Sequence, residues 1–142
     1  MKLLQLGITV AGADKQVTGT WQFNFSFDCE AEPHEKDAIQ MLTEAGINFA
    51  RLADEGIDSR IFARHFSMMG LASNPRLTWL AFNSKYDFAY LLNLFAPLPE
   101  AAQDFLDQIA KFCPLRFDVK HLGQGSLKHQ LAQEGIDTCG QH

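Results

Sequence analysis

The sequence predicts an α/β or α+β fold built on a mixed sheet, and three features indicate it. Two strand patterns at residues 3–10 and 20–27 are separated by a short loop, which is typical of an antiparallel hairpin. Helical patterns follow, and two short apolar runs suited to buried strands, residues 77–82 and 115–119, alternate with them. Strands that alternate with helices pair in parallel, so both kinds of pairing are expected. The chain of 142 residues has the size of one domain, residues 1–142.

The hairpin is indicated by its turn and by its second strand. Residues 3–10 are rich in aliphatic and β-branched side chains and stop at Ala-Gly-Ala-Asp, a turn composition. In the second strand four aromatic side chains alternate with polar ones: Trp21, Phe23, Phe25 and Phe27. Such a face packs in a protein core more often than it stacks nucleic-acid bases, so we expect it to be buried.

Five helices are expected after the hairpin. The first stops at Gly46, and the second begins after the N-cap candidate Asp58. The remaining three are expected in this order: one that follows Ser84, one over residues 100–112 and one over residues 126–133.

The composition excludes several classes of protein. Lys and Arg number 12 against 17 Asp and Glu, a net charge of −5, which argues against a domain that wraps nucleic acid by bulk positive charge. The apolar runs are shorter than the ~20 residues that cross a membrane, so no membrane partner is expected. Three widely spaced cysteines, Cys29, Cys113 and Cys139, are typical of reduced thiols in a cytosolic or nuclear protein.

The segment most typical of a functional site is residues 79–91, where a buried strand leads into a helix. Asp87 lies in the first turn of that helix. In α/β proteins ligands bind beyond the carboxyl ends of strands, so Asp87 is a candidate ligand for a divalent cation. The residues alone favour a plainer interpretation, in which Asp87 only complements the dipole of its helix. For Asp118 we expect a capping role, with a supporting carboxylate beside a metal centre as the alternative.

Two motifs of this chain together resemble one known family. Trp-Gln-Phe-Asn-Phe at residues 21–25 and Tyr-Asp-Phe-x-Tyr-Leu at residues 86–91 are similar to segments of the Caf/Pop-type deadenylases, the RNase-D-like subunit of the Ccr–Not complex. The resemblance extends over nearly the whole chain. Further segments that fit in order are residues 3–9, 45–49, 55–58, 117–120 and 140–142.

The resemblance implies an RNase-H-like (DnaQ-like exonuclease) α/β domain with a mixed sheet flanked by helices. It implies hydrolysis of poly(A) tails from the 3′ end with two divalent cations, Mg²⁺ or Mn²⁺, held by four carboxylates of the DEDD set. Asp87 matches the third of these metal ligands, and His142 matches the histidine that helps to activate the attacking water. The implied partners are poly(A) RNA, the Not scaffold subunit and the Ccr-type deadenylase, in the cytoplasm and nucleus.

The chain departs from the family pattern at both ends and at one internal position. The Asp-x-Glu expected before Leu3 and the fourth carboxylate expected after His142 are absent, so the sequence matches the fold without its first strand and C-terminal part. One carboxylate cannot hold two hard cations, so we expect little or no nuclease activity from this polypeptide alone. Residues 3–10 and 77–82 would lose a neighbouring strand, and unpaired edges invite self-association. Asn83 stands where the family usually has His.

Two hypotheses about function follow. The chain is either a piece of a poly(A)-specific 3′-exoribonuclease or a non-catalytic scaffold piece that keeps the family's protein-docking surface. Metal-dependent shortening of a poly(A) tail separates them, because only the first requires carboxylates such as Asp87 to hold cations.

Overall fold

The computed structural model describes residues 2–122, and the chain forms two compact units with a boundary between His65 and Phe66. Each unit combines helices with a two-stranded sheet, antiparallel in the first and parallel in the second. The predicted α/β class is confirmed, with its two kinds of strand pairing in separate sheets. The assignment of residues 1–142 to one domain stays a prediction. Across the described residues, no helix has the length and apolar character needed to cross a lipid bilayer.

The hairpin of the first unit pairs β1 (Gln5–Ala11) with β2 (Val17–Asn24). Aliphatic and β-branched side chains favour the extended backbone of both strands. Thr9 and Thr20 face each other across the hairpin with their hydroxyl oxygens 3.0 Å apart, a cross-strand pair of the kind that sets register. The hairpin prediction is confirmed, although β2 begins and ends three residues before the expected span of residues 20–27.

The aromatic face of β2 and the residues after it is buried only in part. Phe25 has no exposed surface (0%) and Phe27 is also buried, whereas Trp21 is 47% exposed. A Cβ added at Gly19 would come within 2.6 Å of the Trp21 ring, so this ring lies against the backbone of its own strand. The prediction of a buried face is therefore wrong at Trp21.

Three helices follow the hairpin: α1 (Lys36–Glu44), α2 (Phe49–Glu55) and α3 (Ser59–Met68). α1 stops before Gly46, as predicted, and the φ of +95° at Gly46 is a left-handed conformation that glycine adopts without strain. α3 begins after its predicted cap, Asp58, whose carboxylate accepts two backbone hydrogen bonds. α2 was not predicted, because seven residues are too few for a helical period to show.

Phe62 of α3 completes the core of the first unit. Its ring packs edge-on against Phe23 and Phe25, with centroids 5.0 and 5.1 Å apart. Leu52 of α2 is also buried. Full burial of such a side chain contributes roughly 1.5–3 kcal/mol, so Phe23 in β2 and Phe25 just after it supply much of the attachment between the hairpin and α3.

Gly56 allows a close approach of the chain after α2 to the end of the hairpin. The N–H of Ser26 donates to the Ile57 carbonyl at 3.0 Å, and the N–H of Ile57 donates to the Asn24 carbonyl at 2.9 Å. A Cβ at position 56 would lie 2.3 Å from the carbonyl oxygen of Leu52 and 2.4 Å from the backbone of Ser26. Only glycine fits between these backbone atoms.

The second unit pairs β3 (Thr78–Ala81) in parallel with β4 (Leu115–Asp118), as the two apolar runs predicted. The connection contains α4 (Lys85–Asn93) and α5 (Ala102–Phe112), since a parallel pair requires a long crossover. A 3-10 turn, Val119–Leu122, follows β4. The helix predicted over residues 126–133 lies outside the described residues.

Three phenylalanine rings form the centre of the second unit. Phe95 packs against Phe112 with centroids 4.5 Å apart and against Phe66 at 5.5 Å. Two residues close to Phe112 in the sequence are also buried. They are Ile109, which lies on α5, and Cys113, which follows it. The cluster connects the end of α3 with α5 and the chain after α4.

Within the described residues, β1 pairs only with β2 and β3 pairs only with β4, so each has one unpaired edge. The β3–β4 ribbon also has an apolar face open to solvent. Leu80, which is 66% exposed, is the register partner of Phe117, and Leu115 lies next along β4 on the same face. Self-association through such edges stays a prediction.

Candidate active site at the start of α4

The turn between β3 and α4 is held by the carboxylate of Asp118. Its Oδ1 accepts a hydrogen bond from the backbone N–H of Asn83 at 2.8 Å. Its Oδ2 accepts the N–H of Ser84 at 2.9 Å and the Ser84 hydroxyl at 3.1 Å. The expected capping role of Asp118 is confirmed at the 3-10 turn that follows it, where its Oδ1 also accepts the N–H of Lys120 at 3.0 Å. The same carboxylate holds the two residues that precede α4.

The same hydrogen bonds determine the ionisation of Asp118. Burial opposes the charged form, but donation by the backbone N–H groups of Ser84, Lys120 and Asn83 and by the Ser84 hydroxyl outweighs it. The net effect lowers the pKa of the Asp118 carboxyl to about 2. Asp118 is therefore a carboxylate over the whole physiological range of pH.

Asn83 has a positive φ of +55° in this turn. Asparagine is one of the few residues with a side chain that adopts this left-handed conformation readily. The ammonium group of Lys120 donates to the Asn83 side-chain oxygen at 3.1 Å. Asn83, which stands where the family usually has His, is thus held within the turn by a hydrogen bond from Lys120. The sequence did not predict this bond, because the two residues are distant in the chain.

Asp87 lies in the first turn of α4, at the strand-to-helix junction where the sequence placed it. Its side chain is exposed, and the described residues include no hydrogen-bond or ion-pair partner for it. The neighbouring Phe88 is buried and attaches α4 to the core. An exposed carboxylate with no partner in the described part of the chain is suited to bind a cation, and it is equally suited to interact only with the helix dipole.

The described residues contain no group of three or more His, Cys, Asp or Glu side chains placed to hold a metal ion. The donor chemistry of Asp87 fits Mg²⁺ and Mn²⁺, which prefer carboxylate oxygens, but it fits one ligand of such a site and not a complete one. His142, the second predicted site residue, lies outside the described residues.

A polar cleft in the first unit was not anticipated from the sequence. It has a volume of about 400 Å³ and lies between the hairpin and the residues around α2. Gln5 and Gln22 donate to the Asn24 side-chain oxygen at 2.9 and 3.1 Å, and Arg51 pairs with Glu55. These polar groups bind one another, so their contacts do not point to a ligand. The alternating amides of β2 are the only sequence signal for this cleft within the part of the chain that the structure describes.

Three curated relatives match this chain over most of its length. The probable CCR4-associated factor 1 homolog 7 of Arabidopsis thaliana is 34% identical over 99% of this chain. The poly(A) ribonuclease pop2 of Schizosaccharomyces pombe is 30% identical over 96% of it, and the CCR4-NOT transcription complex subunit 7 of Caenorhabditis elegans is 35% identical over 86%. The chain spans 58%, 42% and 41% of the length of these relatives, respectively. No protein-family model matches it.

Three solved structures of Pop2 and CAF1 proteins have a fold similar to that of this chain. The Mg²⁺- and Mn²⁺-bound form of S. pombe Pop2p superimposes with a TM-score of 0.88 at 29% identity, covering 98% of this chain and 60% of that one. The RNase domain of yeast Pop2 superimposes with a TM-score of 0.81 at 26% identity, covering 95% and 57%. Yeast CAF1 crystallised with the NOT1 MIF4G domain is similar, with a TM-score of 0.79 at 26% identity and the same coverage. The expected ribonuclease-type α/β fold is confirmed.

Proposed function

Because the chain is related to the CCR4-associated factor 1 and Pop2 proteins over nearly all of its length, we propose that it is part of a poly(A)-specific 3′-exoribonuclease. Asp87 serves in it as one carboxylate ligand of a divalent-metal site. The observation that carries this proposal is an exposed carboxylate at a strand-to-helix junction, with no hydrogen-bond or ion-pair partner among residues 2–122. The chain is similar to a Pop2 protein solved with Mg²⁺ and Mn²⁺. Carboxylates beyond the end of a sheet strand are suited to this task.

The roles of the residues follow from phosphodiester hydrolysis. When bound, a pair of cations stabilises the attacking and leaving oxygens of the displacement. Asp87 supplies negative charge and an oxygen ligand, and the first turn of α4 fixes where that oxygen lies. His142 takes a proton from the attacking water, a role that rests on the resemblance of Gln141 and His142 to the family's histidine segment.

The 142-residue chain by itself is proposed to lack nuclease activity. The support is that residues 2–122 contain Asp87 but no cluster of three groups placed to hold a metal. The same observation favours a second candidate function, a non-catalytic interaction piece of the same complex. The similarity of this chain to yeast CAF1, which was solved with the NOT1 MIF4G domain, also agrees with an interaction function.

The proposed partners are poly(A) RNA as substrate, with a Not scaffold subunit and a Ccr-type deadenylase as protein partners. Support comes from the names of the relatives, a poly(A) ribonuclease and a CCR4-NOT complex subunit. A location in the cytoplasm and nucleus is also proposed. Cys29 and Cys113 are free thiols in the structure. Free thiols agree with this location, because cysteines in the cytoplasm and nucleus are kept reduced.

The experiment compares Asp87→Asn with Asp104→Asn. Asp104 is a matched control, because it is the exposed acidic residue in the first turn of α5. Each protein is made in the longest form that its gene encodes and is incubated with an RNA that ends in a poly(A) tail, with Mg²⁺ or Mn²⁺. Gel electrophoresis follows tail shortening, and the 142-residue chain is assayed beside them.

The proposal expects Asp87→Asn to slow shortening by roughly a hundredfold or more, because loss even of an outer partner of a metal site costs about ten- to hundredfold. Asp104→Asn should retain the wild-type rate. Equal rates for both variants contradict the role of Asp87. If the wild-type protein in its longest form binds a Not scaffold but does not shorten the tail, the result favours the non-catalytic function.

A further inference from the structure

The first turn of α4 depends on a residue from another strand. Ser84 occupies the N-cap position, yet its side chain makes no capping hydrogen bond to its own helix. Its hydroxyl donates to Asp118 at the end of β4, and the N–H groups of Asn83 and Ser84 donate there as well. Backbone N–H groups removed from water need acceptors, and those of the turn before α4 find theirs in a carboxylate across the sheet.

The turn is also held from its other side. The backbone N–H of Lys120 donates to Asp118 Oδ1 at 3.0 Å, which orients the carboxylate. The side chain of Lys120 binds the Asn83 side-chain oxygen, and Asn83 has the left-handed φ of +55°. A carboxylate at the end of β4 and an ammonium group in the 3-10 turn after it therefore hold two successive residues that precede α4.

We propose that Asp118 is a positioning residue for Asp87, assisted by Lys120. This inference rests on the proposed function of Asp87 as a metal ligand. Asp118 and Lys120 fix the turn from which α4 departs, and the turn fixes the direction in which Asp87 is presented.

The packing of α4 explains why the effect falls on Asp87. Phe88, Leu91 and Leu92 are buried and hold the later part of the helix against the core. At the start of the helix, Asp87 is exposed and the Ser84 side chain makes no capping bond to α4. Asn83 and Ser84 instead donate to Asp118, which holds the turn from which the helix begins. Metal ligands must be held within about 0.5 Å of the productive geometry, and loosening of one turn exceeds that tolerance.

The test compares Asp118→Asn with Asp58→Asn in the 142-residue chain. Asp58 is the matched control, because it also accepts two backbone N–H groups at the start of a helix, α3. Residual dipolar couplings measured by NMR report the N–H directions of residues 83–88. In the same samples, Mn²⁺ is titrated and the paramagnetic broadening of the Asp87 amide signal is measured. The broadening reports how closely the ion approaches Asp87.

The inference expects Asp118→Asn to change the couplings of residues 83–88 selectively and to weaken Mn²⁺ broadening at Asp87 by about tenfold. Asp58→Asn should leave both measurements as in the wild type. Wild-type couplings in folded Asp118→Asn overturn the inference, since Asp118 then contributes stability alone. Absence of Mn²⁺ broadening in the wild type shows that the 142-residue chain alone does not hold the ion, as expected of a single carboxylate. The couplings then decide whether Asp118 positions the turn, and the tail-shortening assay of Asp87→Asn separately decides the proposed function.

A second variant keeps the test decisive if Asp118→Asn does not fold. Lys120→Met removes only the contact with the Asn83 side chain, and Lys120 is exposed, so the fold should persist. The couplings of Asn83 and Ser84 are then expected to change while those of the β3–β4 ribbon do not. Unchanged couplings at Asn83 overturn the assistance assigned to Lys120.

Discussion

The ring of Phe66 stacks on that of Phe112, with an interplanar angle of 8° and centroids 6.2 Å apart. This contact joins the end of α3 to the end of α5 in the core of the second unit. Aromatic stacking adds roughly 0.5–1.5 kcal/mol to the effect of burial, so Phe66 is expected to contribute strongly to stability.

Phe66→Ala should lower the free energy of unfolding by about 3–5 kcal/mol, because the cavity removes a ring that packs against both Phe95 and Phe112. Met68→Ala is the control on the same helix, since Met68 is 71% exposed, and should change the free energy by less than about 0.5 kcal/mol. Urea unfolding followed by circular dichroism measures both. A similar loss in both variants contradicts the assignment of Phe66 to the core.

The low pKa of Asp118 predicts how stability changes in acid. The folded value of about 2 lies below the unfolded value of about 3.9, so the stabilisation is complete above about pH 4. It is lost as the pH falls through about 2, when protonation removes the charge that accepts the hydrogen bonds.

The corresponding measurement is urea unfolding of the wild type and Asp118→Asn between pH 2 and pH 6. We expect the difference in stability between them to be constant above about pH 5 and to shrink steadily from about pH 4 downwards. A difference that grows in acid would show that Asp118 is protonated more readily in the folded chain.

The close approach at Gly56 gives a prediction with an internal control. Gly56→Ala places a methyl group against the backbone of Ser26 and Leu52, atoms that cannot rotate away, and should destabilise the chain by about 3 kcal/mol or more. Gly7→Ala lies in β1 with no atom within 4 Å of the added methyl. It should be neutral or stabilising by about 0.5 kcal/mol. Thermal unfolding of the two variants checks this, and an equal effect on Tm contradicts the crowding at Gly56.

The exposed face of the β3–β4 ribbon predicts concentration-dependent association. Leu80→Glu places a charge beside an unpaired strand edge, which should reduce self-association at least about tenfold in affinity. Leu106→Glu is the control, because Leu106 is an exposed leucine that lies on a helix, α5, and not on a strand. Analytical ultracentrifugation over a range of concentrations measures the effect. A chain that stays monomeric at all concentrations contradicts the prediction.

Local patterns predicted most of the elements but not all of their surroundings. The period of two in residues 20–27 indicated β2, and Asp58 and Gly46 indicated the limits of helices, because caps and alternation act over a few residues. The exposure of Trp21 and the existence of α2 were missed, since burial and short helices depend on contacts that periodicity does not contain.

The sequence by itself determined the order of the strands and of the described helices other than α2. It also determined the position of Asp87 at a strand-to-helix junction and the family that the chain resembles. The tertiary structure alone decided that Asp118 and Lys120 hold the turn before Asp87, and that Gly56 must lack a side chain. The physical reason is separation along the chain. Propensities and caps are set by near neighbours, whereas a hydrogen bond across 35 residues exists only once β3 and β4 have paired.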